Sequence, residues 1–436
     1  MTAGKSPLAI HGGPRSFTRD PGDLFKWPIV TPEDEEAVLA VLRAGSMSKN
    51  ELTREFEREW AEWLGCRYAL AYPNGTEALR AAMWAAGVGA GDEIIAPSLT
   101  YWASAAPALS LGAAVHFAEC LPETLCLDPA DIEHRIGPRT RAIIAVHYFG
   151  YPCEMDPILA IARKHKLPVI EDASHSQGGL YKGKKCGTFG KVSAMSLMSG
   201  KSISVGEGGM LVTDDRAIYE RCLAYGFYER TAPWIEDPAS RPEITDEDLL
   251  PYAGLPLGGY KHRMNQMCAA LGRVQLKYYD GRMAEIQRAM NRFWDLLEGV
   301  PGLRAHRPPA ASGSTMGGWY APRGLYRAEE LGGLPCARFC EAVTAEISGF
   351  RVLPGCNKPL HLHPLFHTAD IFRMGRPTVL SFGQRDVRQG AGSLPVTEKM
   401  AEMSYSVPWF KHDRPEVIEE YAAAYRKVAK HAHLLL

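Results

Sequence analysis

The chain has 436 residues, of which 46% are hydrophobic and 23% charged, as is usual for a globular protein with a sizeable core. Its 49 lysines and arginines nearly balance its 50 aspartates and glutamates. The net charge of −1 therefore provides no excess of positive charge that would attract nucleic acid or acidic membranes. No stretch approaches the roughly 20 apolar residues of a membrane span, and the N-terminus lacks the apolar core of a signal peptide, so we expect a cytoplasmic chain of the size of an enzyme.

The ten cysteines agree with a reducing compartment. They form no C-x-x-C pair and show none of the paired spacings of zinc sites. Cys336 and Cys340 lie four residues apart on one face of a predicted helix. We therefore expect free, mostly buried thiols and no metal site.

Two amphipathic helices are predicted near the start of the chain. The first has Thr31 as its N-cap and Pro32 at its first helical position, and it ends at Gly45. The second begins near Leu52, repeats its large apolar residues at steps of four and stops at Gly65.

From there to about residue 215, short apolar runs typical of buried strands alternate with helical patterns. The runs are RYALAY, EIIAPS, AAVHFAE, RAIIAVHYF, LPVIEDA, VSAMSL and GGMLVTD. Nearly continuous apolar strands that are separated by helices indicate a mostly parallel sheet covered on both faces. The sequence therefore predicts a doubly wound α/β domain.

The second half of the chain is predicted to form a smaller lobe after an irregular start. The polar, proline-rich segment 231–260 is expected to run over the surface. A long helix follows from about Asn265 to about Glu298, in which Asp280-Gly281 is a candidate break. The lobe then shows a strand in GGWYAPRGLY, a helix in LPCARFCEAVTAEI, a strand in FRVLPG and a closing helix in RPEVIEEYAAAYRKVAKHA.

These elements divide the chain into three parts. Residues 1–30 are expected to form an N-terminal arm and 31–284 the large α/β domain. Residues 285–436 are expected to form the small C-terminal α+β domain, joined to the large domain by the long helix.

Polar and aromatic residues follow several predicted strands, and ligands of open parallel sheets bind at the carboxyl ends of the strands. The turn Pro73-Asn74-Gly75-Thr76 opens a helix and suits a phosphate at a helix N-terminus, although a plain capped turn has the same residues. Tyr101, after the second strand, could lie flat on a planar ligand ring or pack in the core.

Two ionisable residues complete the set of candidates. Asp172 closes LPVIED, where a buried carboxylate needs a cation or several donors, and helix capping is its alternative role. Lys201 lies in a Gly/Ser loop between two strands, where its pKa could be lowered, and a surface loop lysine is the alternative. The following GEGGML lacks the spacing of a dinucleotide fingerprint and leads into a strand.

A phosphate seat, a stacking aromatic, an aspartate and a loop lysine are together the parts that hold pyridoxal 5'-phosphate. The sequence resembles the sugar aminotransferases of the DegT/StrS family in PNGTEAL, APSLTYWASAAPAL, VIEDASHSQGG, SLMSGKSISVGEGG, GGYKHRMNQMCAALGRVQL and PLHLHPLF. The resemblance covers nearly the whole chain. It implies the fold-type I aminotransferase architecture, with a large, mostly parallel mixed sheet domain and a smaller C-terminal α+β lobe.

The resemblance implies roles for the residues at the strand ends. Lys201 corresponds to the lysine that forms an imine with the cofactor and shuttles the proton of the reaction, and Asp172 to the partner of the pyridine nitrogen. Tyr101 lies where the family stacks an aromatic ring on the cofactor, and His175 where a Gln or His reaches the phenolic oxygen.

The phosphate contacts are implied in the same way. Gly75 would contribute its backbone, and Thr76 and Ser196 their hydroxyls as well. Where the family has Gly-Tyr-Asn reaching the phosphate of the neighbouring subunit, segment 259–261 reads Gly-Tyr-Lys. Lys261 would therefore supply a point charge across a homodimer with a shared active site.

The implied reaction moves an amino group from L-glutamate or L-glutamine to the ketone of a sugar or cyclitol. The opening LAIHGGPRSF resembles the branch acting on inososes and aminobenzoate precursors more than the branch acting on nucleotide-linked hexoses. A lyase, dehydratase or aromatizing enzyme with the same cofactor, and a non-catalytic dimeric relative, are the alternatives; a histidine in place of Lys201 would favour the dehydratases. Candidate substrate contacts lie in loops where the family contacts substrate, with ordinary surface roles as the alternative: Glu229, Arg230, His361 and His363.

Overall fold

The structure is a computed structural model that describes residues 6–48, 50–232, 243–383 and 385–436. Its helices are α1 (Pro32–Arg43), α2 (Glu51–Leu64), α3 (Gly75–Ala85), α4 (Pro107–Ser110), α5 (Pro129–Arg135), α6 (Met155–His165), α7 (Arg216–Gly226), α8 (Tyr228–Thr231), α9 (Gln266–Asp295), α10 (Cys336–Glu346), α11 (Pro395–Glu402) and α12 (Pro415–Lys430). Its strands are β1 (Tyr68–Tyr72), β2 (Glu93–Pro97), β3 (Ala114–Ala118), β4 (Thr140–Val146), β5 (Val169–Asp172), β6 (Leu180–Tyr181), β7 (Lys184–Lys185), β8 (Val192–Ser196), β9 (Gly209–Thr213), β10 (Leu303–Ala305), β11 (Arg323–Tyr326) and β12 (Ser404–Ser406).

The large sheet has the strand order β1-β9-β8-β5-β4-β2-β3. The pairs from β8 through β5, β4 and β2 to β3 are parallel, whereas β9 runs antiparallel to both of its neighbours. Each of the apolar runs in the sequence contains one of these strands, which confirms the predicted α/β domain with a mostly parallel sheet. Since β1, β2, β5 and β8 point the same way, the residues after all four strands meet at one edge.

The first two helices begin and end within two residues of the predicted positions. Thr31 and Asp34 form a reciprocal capping box, in which the Thr31 backbone N–H donates to the Asp34 carboxylate at 2.7 Å. Helix α2 ends at Gly65, whose φ of 87° lies in the left-handed region that glycine adopts without strain.

Helix α9 differs from its prediction, since it continues unbroken through Asp280 and Gly281 and ends at Asp295. One glycine in a helix costs only about 1 kcal/mol relative to alanine. Packing offsets that cost, because buried residues such as Tyr279 and Ile286 flank the glycine, and the helix contacts α1, α2 and α12.

The smaller lobe has a three-stranded antiparallel sheet, β10-β11-β12. Two strand predictions here are wrong in part: GGWYAPRGLY is a strand only over Arg323–Tyr326, and FRVLPG forms no strand but a single bridge from Pro354 to Tyr405. Strands β10 and β12 were not predicted, because three residues are too short to show a period in the sequence.

The described part of the chain has three hydrophobic cores, of which the third packs helices α2 and α9 on the large sheet and includes Phe56 and Met210. The large core surrounds β1–β5, and the second includes Trp294, Phe339 and Tyr425 of the lobe. Leu8 and Phe17, from the expected N-terminal arm, are buried in this second core. The domain boundaries at 30 and 284 stay predictions, and the long helix α9 runs across the second of them.

Of the predicted surface segment 231–260, residues 233–242 lie outside the described part of the chain. The remainder, 243–260, is irregular apart from a 3-10 turn at Leu250–Tyr252. All ten cysteines are free thiols, and Cys336 and Cys340 lie on helix α10 as predicted. Within the described ranges, no helix has the length and apolar character needed to cross a bilayer.

Candidate active site

A cavity of about 340 Å³ lies where β1, β2, β5 and β8 end. It brings together residues that are far apart in the sequence and that were predicted as site residues: Gly75, Thr76, Tyr101, Asp172, His175, Ser196 and Lys201. Lys261 does not line it; this exposed side chain lies beside a second, narrow cavity with Asn50 and Arg263.

One end of the cavity is formed by the N-terminus of α3. The Asn74 side chain accepts a hydrogen bond from the Glu77 backbone N–H at 2.9 Å, which leaves the first N–H groups of the helix, those of Gly75 and Thr76, to bind a ligand. A Cβ on Gly75 would lie 2.7 Å from the Cβ of Ser196, so only glycine lets the helix approach the end of β8 this closely. Two N–H groups and two hydroxyls thus converge on a seat for an anion.

Asp172 lies at the opposite end, at the last position of β5. Its side chain is almost fully buried, its Oδ2 accepts from the Ser104 hydroxyl at 2.6 Å and its Oδ1 from the Ser174 backbone N–H at 3.1 Å. No helix follows it within the described residues 173–179, so it does not act as a helix cap. The carboxylate is fixed and faces the cavity.

Lys201 lies in the loop between β8 and β9 and is only 6% exposed, which rules out the surface-lysine alternative. Burial lowers the pKa of its amine from the usual 10.5 to about 8, against the raising effect of the Asp172 carboxylate. The Tyr320 ring lies 3.9 Å from the Nζ, and the Trp27 indole N–H donates to the Lys201 carbonyl at 2.8 Å. The lysine is therefore held in place and partly neutral near pH 8.

His175 is a neutral hydrogen-bond donor to the cavity. Its Nδ1 accepts from the Phe149 backbone N–H at 3.1 Å, which places the ring proton on Nε2. Burial, together with the positive charge of Lys201, holds its pKa well below the usual 6.5. Tyr101 is 46% exposed at the rim, so it is not a core residue and its ring is accessible to a ligand.

Several residues at the site were not predicted, among them Ser104, Tyr320 and Arg323 in the cavity lining and Trp27 behind Lys201. Tyr320 and Arg323 lie in GGWYAPRGLY, which the sequence pattern assigned to a strand. The first half of this segment instead turns into the cavity, with positive φ at Trp319 (57°) and Ala321 (46°). Such φ values are unfavourable for non-glycine residues and are found at functional sites. No sequence pattern signals them.

Glu229 and Arg230, suggested as substrate contacts, lie outside the cavity. Glu229 forms a salt bridge with Arg263. Arg230 is buried between the carboxylates of Glu57 and Glu243, with nitrogen–oxygen distances of 2.9 Å to each. Both residues form ion pairs that fix helix α8 within their own chain.

The two suggested histidines also lie outside the cavity. His361 is buried, its Nδ1 is 2.7 Å from the Ser98 hydroxyl and its Nε2 is 3.0 Å from Glu398. The Nδ1 of His363 accepts from the Leu365 backbone N–H at 3.1 Å. None of these four residues lines the cavity of its own chain, and a substrate contact for them stays a prediction.

The residues that do meet in the cavity fit pyridoxal phosphate. Its phosphate matches the α3 N-terminus, its pyridine nitrogen matches a buried carboxylate, and its phenolic oxygen matches a neutral histidine donor. Its aldehyde requires a lysine that is partly neutral at working pH, as burial makes Lys201.

Residues 28–420 match the DegT/DnrJ/EryC1/StrS aminotransferase family. The chain is 32% identical to the L-glutamine:scyllo-inosose aminotransferase of Streptomyces griseus over 97% of each chain. It is 38% identical to the GDP-perosamine synthase of Caulobacter vibrioides, over 59% of this chain and 64% of that relative, slightly under two thirds. It also resembles the solved aminotransferase from Psychrobacter cryohalolentis, with a TM-score of 0.78 and 27% identity over 93% and 99% of the two chains. This likeness confirms the predicted fold-type I architecture.

Proposed function

Because the chain belongs to the DegT/DnrJ/EryC1/StrS aminotransferase family, whose cofactor is pyridoxal phosphate, we propose that it moves an amino group from L-glutamate or L-glutamine to the ketone of a sugar or cyclitol. The observation that carries this proposal is one cavity that combines an anion seat, the buried Asp172 and the desolvated Lys201. The match along nearly all of both chains with the scyllo-inosose enzyme favours a cyclitol acceptor.

When bound, pyridoxal phosphate supplies an electrophilic carbon for the amine and a ring that withdraws electrons from it. The backbone of Gly75 and the hydroxyls of Thr76 and Ser196 would bind the phosphate. Asp172, fixed by Ser104, would hold a proton at the ring nitrogen, and the Nε2–H of His175 would donate to the phenolic oxygen.

Lys201 would perform the proton transfers. As a neutral amine its Nζ would take the proton from the amino-bearing carbon of the donor, and as an ammonium it would deliver that proton to the former aldehyde carbon of the cofactor, on the other side of the shared nitrogen. A lysine with a pKa near 8 serves both purposes at neutral pH, since both protonation states are populated. In the second half of the reaction the same atoms act on the acceptor ketone, so the two substrates use the cavity in turn.

We further propose a homodimer in which Lys261 of each chain contacts the phosphate bound by the other. Lys261 is exposed and lies outside its own chain's cavity. A surface groove of about 1040 Å³ between α1, α2 and α9 is lined by apolar residues such as Ala40 and Val41 and by charged residues such as Glu59 and Arg273, with the exposed Leu42 beside it. A second chain could cover this groove. The ten free thiols support a reducing, cytoplasmic location.

The test is spectroscopic. Purified protein should be yellow, L-glutamine or L-glutamate should remove the colour, and a keto cyclitol such as scyllo-inosose should restore it. Lys201→Ala should bind cofactor without this cycle, because no amine remains to move the proton. Lys185→Ala is the matched control, since this partly exposed lysine lies outside the cavity. A colour that no amino donor removes would contradict the transaminase proposal and favour a lyase or dehydratase.

A further inference from the structure

Arg323 is a cation in the cavity that the proposed cofactor contacts do not use. It is the first residue of β11, reaches the cavity from the smaller lobe and lines it together with Lys201 and Tyr320. Its positive charge acts on His175, as does that of Lys201. Arg323 and Lys201 therefore face the same region.

The charge of Arg323 lacks a counterion in the described part of the chain. The neighbours of the guanidinium are Tyr148, Tyr320 and the thiols of Cys340 and Cys356, none of which carries a negative charge at neutral pH. The Phe149 ring lies 4.8 Å from the guanidinium carbon.

Its hydrogen-bonding capacity is also unused. The Nε is buried and has no hydrogen-bond partner among the described residues. Burial lowers the pKa of the group, yet a guanidinium remains charged in proteins. A half-buried cation whose hydrogen-bond donors are unused is costly to desolvate unless an anion pairs with it. A carboxylate is the planar anion that can accept two parallel hydrogen bonds from the N–H groups of a guanidinium.

Resting on the proposed function, we propose that Arg323 binds the α-carboxylate of the amino donor. The donor must place its amino-bearing carbon at Lys201, and in an α-amino acid the carboxylate is attached directly to that carbon. A keto sugar or keto cyclitol has no carboxylate, and the diphosphate of a nucleotide-linked ketosugar lies several bonds from its ketone. Of the substrates considered, the amino donor is therefore the one that carries a negatively charged group next to the reacting carbon at Lys201.

This assignment explains how one cavity takes two unlike substrates. Arg323 supplies a cation, whereas the anion seat at α3 supplies backbone N–H groups at a helix N-terminus. Because these are two different sites, the phosphate of the cofactor and the carboxylate of the donor do not compete. When the acceptor enters, the guanidinium donates to hydroxyl groups instead, without a change in the protein's charge. Arg323 therefore determines donor specificity and leaves the choice of acceptor to other residues.

The experiment compares L-glutamine with L-glutaminol, in which a CH2OH group replaces the carboxylate, on the holoenzyme. The rate at which each removes the cofactor colour is measured in single-turnover mixing. Wild type should prefer glutamine by about 100-fold, since a charge-assisted bidentate contact is lost with glutaminol. Arg323→Gln should lower the glutamine rate by about 100-fold and change the glutaminol rate by less than about threefold, so the preference disappears. A purely structural defect would lower both rates alike.

Two further variants complete the test. Arg327→Gln carries the same substitution just beyond the same strand, outside the cavity, and should keep the wild-type preference. Arg323→Lys keeps the positive charge but not the two parallel N–H donors, so it should retain part of the preference for glutamine. This variant replaces Arg323→Gln in the test if the latter does not fold. Three outcomes would each overturn the inference. The wild type could discriminate poorly between the two donors, or Arg323→Gln or Arg323→Lys could keep the full preference for glutamine. The substitution could also lower only the rate with a nucleotide-linked ketosugar acceptor. Wild type that reacts with neither glutamine nor glutamate would instead refute the proposed function.

Discussion

At the scale of single residues, the chemistry depends on how burial changes Lys201. Its amine contacts the Tyr320 ring and the edge of the sheet instead of water, which disfavours the charged form. The nearby Asp172 carboxylate offsets this loss of hydration only in part. The lowered pKa of about 8 means that roughly a tenth of the amines are neutral at pH 7.

This predicts the pH dependence of cofactor uptake by the apoenzyme. The neutral amine is the nucleophile, and its population rises with pH until the pKa is passed. The rate constant should therefore rise about tenfold per pH unit below 8 and level off above it. The growth of visible absorbance after mixing with pyridoxal phosphate measures it. His175 is neutral throughout, so an inflection near pH 6.5 would contradict the assigned environment of this histidine.

Ser104 is a positioning residue for Asp172. Removing its hydroxyl in Ser104→Ala deletes the 2.6 Å hydrogen bond and leaves the carboxylate free to rotate. A hydrogen bond to a charged group contributes about 1.5–3 kcal/mol, so we expect roughly a tenfold or larger loss in the rate of the donor half-reaction. The absorbance maximum of the bound cofactor should shift as well, because the ring nitrogen holds its proton less firmly.

Ser110→Ala is the control for this variant. The Ser110 hydroxyl donates only to the Pro107 carbonyl on helix α4, away from the cavity. Its substitution should leave the rate and the spectrum unchanged. Equal losses in both serine variants would show that the effect is structural and not specific to Asp172.

At the scale of elements, the approach of α3 to β8 sets the anion seat. In Gly75→Ala the new Cβ would lie 2.7 Å from the Ser196 Cβ and 2.8 Å from its Cα, so the helix must move away from the strand. The seat widens, and the dissociation constant for pyridoxal phosphate should rise by about tenfold or more, as followed by fluorescence titration of the apoenzyme. An unchanged constant would show that the phosphate binds elsewhere.

Gly281→Ala makes the opposite prediction within helix α9. No atom lies within 4 Å of a Cβ built there, and the residue is exposed in an uninterrupted helix. Alanine should therefore stabilise the protein by about 0.5–1 kcal/mol, visible as a higher Tm, with no change in cofactor affinity. A lower Tm would indicate that the helix is kinked at this glycine, as the sequence pattern had suggested.

At the scale of the whole molecule, the proposed active site shared across a homodimer predicts complementation. Lys201→Ala and Lys261→Ala should each be weakly active, because one lacks the proton-transfer amine and the other the charge that reaches the neighbouring phosphate. In a mixed dimer one site carries both defects and the other carries neither. Random reassociation of the two variants should therefore restore about a quarter of wild-type activity.

The control is each variant taken alone through the same unfolding and reassociation. Activity in the mixture that does not exceed the sum of these controls would refute the contribution of Lys261 across the dimer. A mass measurement in solution shows independently whether the protein is dimeric.

The amino-acid sequence by itself determined the local features. Caps and glycines determined the ends of α1 and α2, and the apolar runs determined the strands of the large sheet, because such preferences act over a few neighbouring residues. Asp172 and Lys201 could be proposed because polar residues at or beyond the ends of buried strands meet at one edge of a parallel sheet, and their roles followed from the family resemblance.

Only the tertiary structure decided which residues from distant segments join them. Arg323 and Trp27 come from the smaller lobe and the N-terminal segment, and no sequence pattern brings either of them to Lys201. Conversely, Arg230 and His361 were candidate substrate contacts in the sequence, but in the folded chain each of them binds a carboxylate from another element. Packing also overrode the break expected at Gly281. Burial, charge pairing and close approach are properties of three-dimensional neighbours, so the pKa of Lys201 and the unpaired charge of Arg323 appear only in the folded chain.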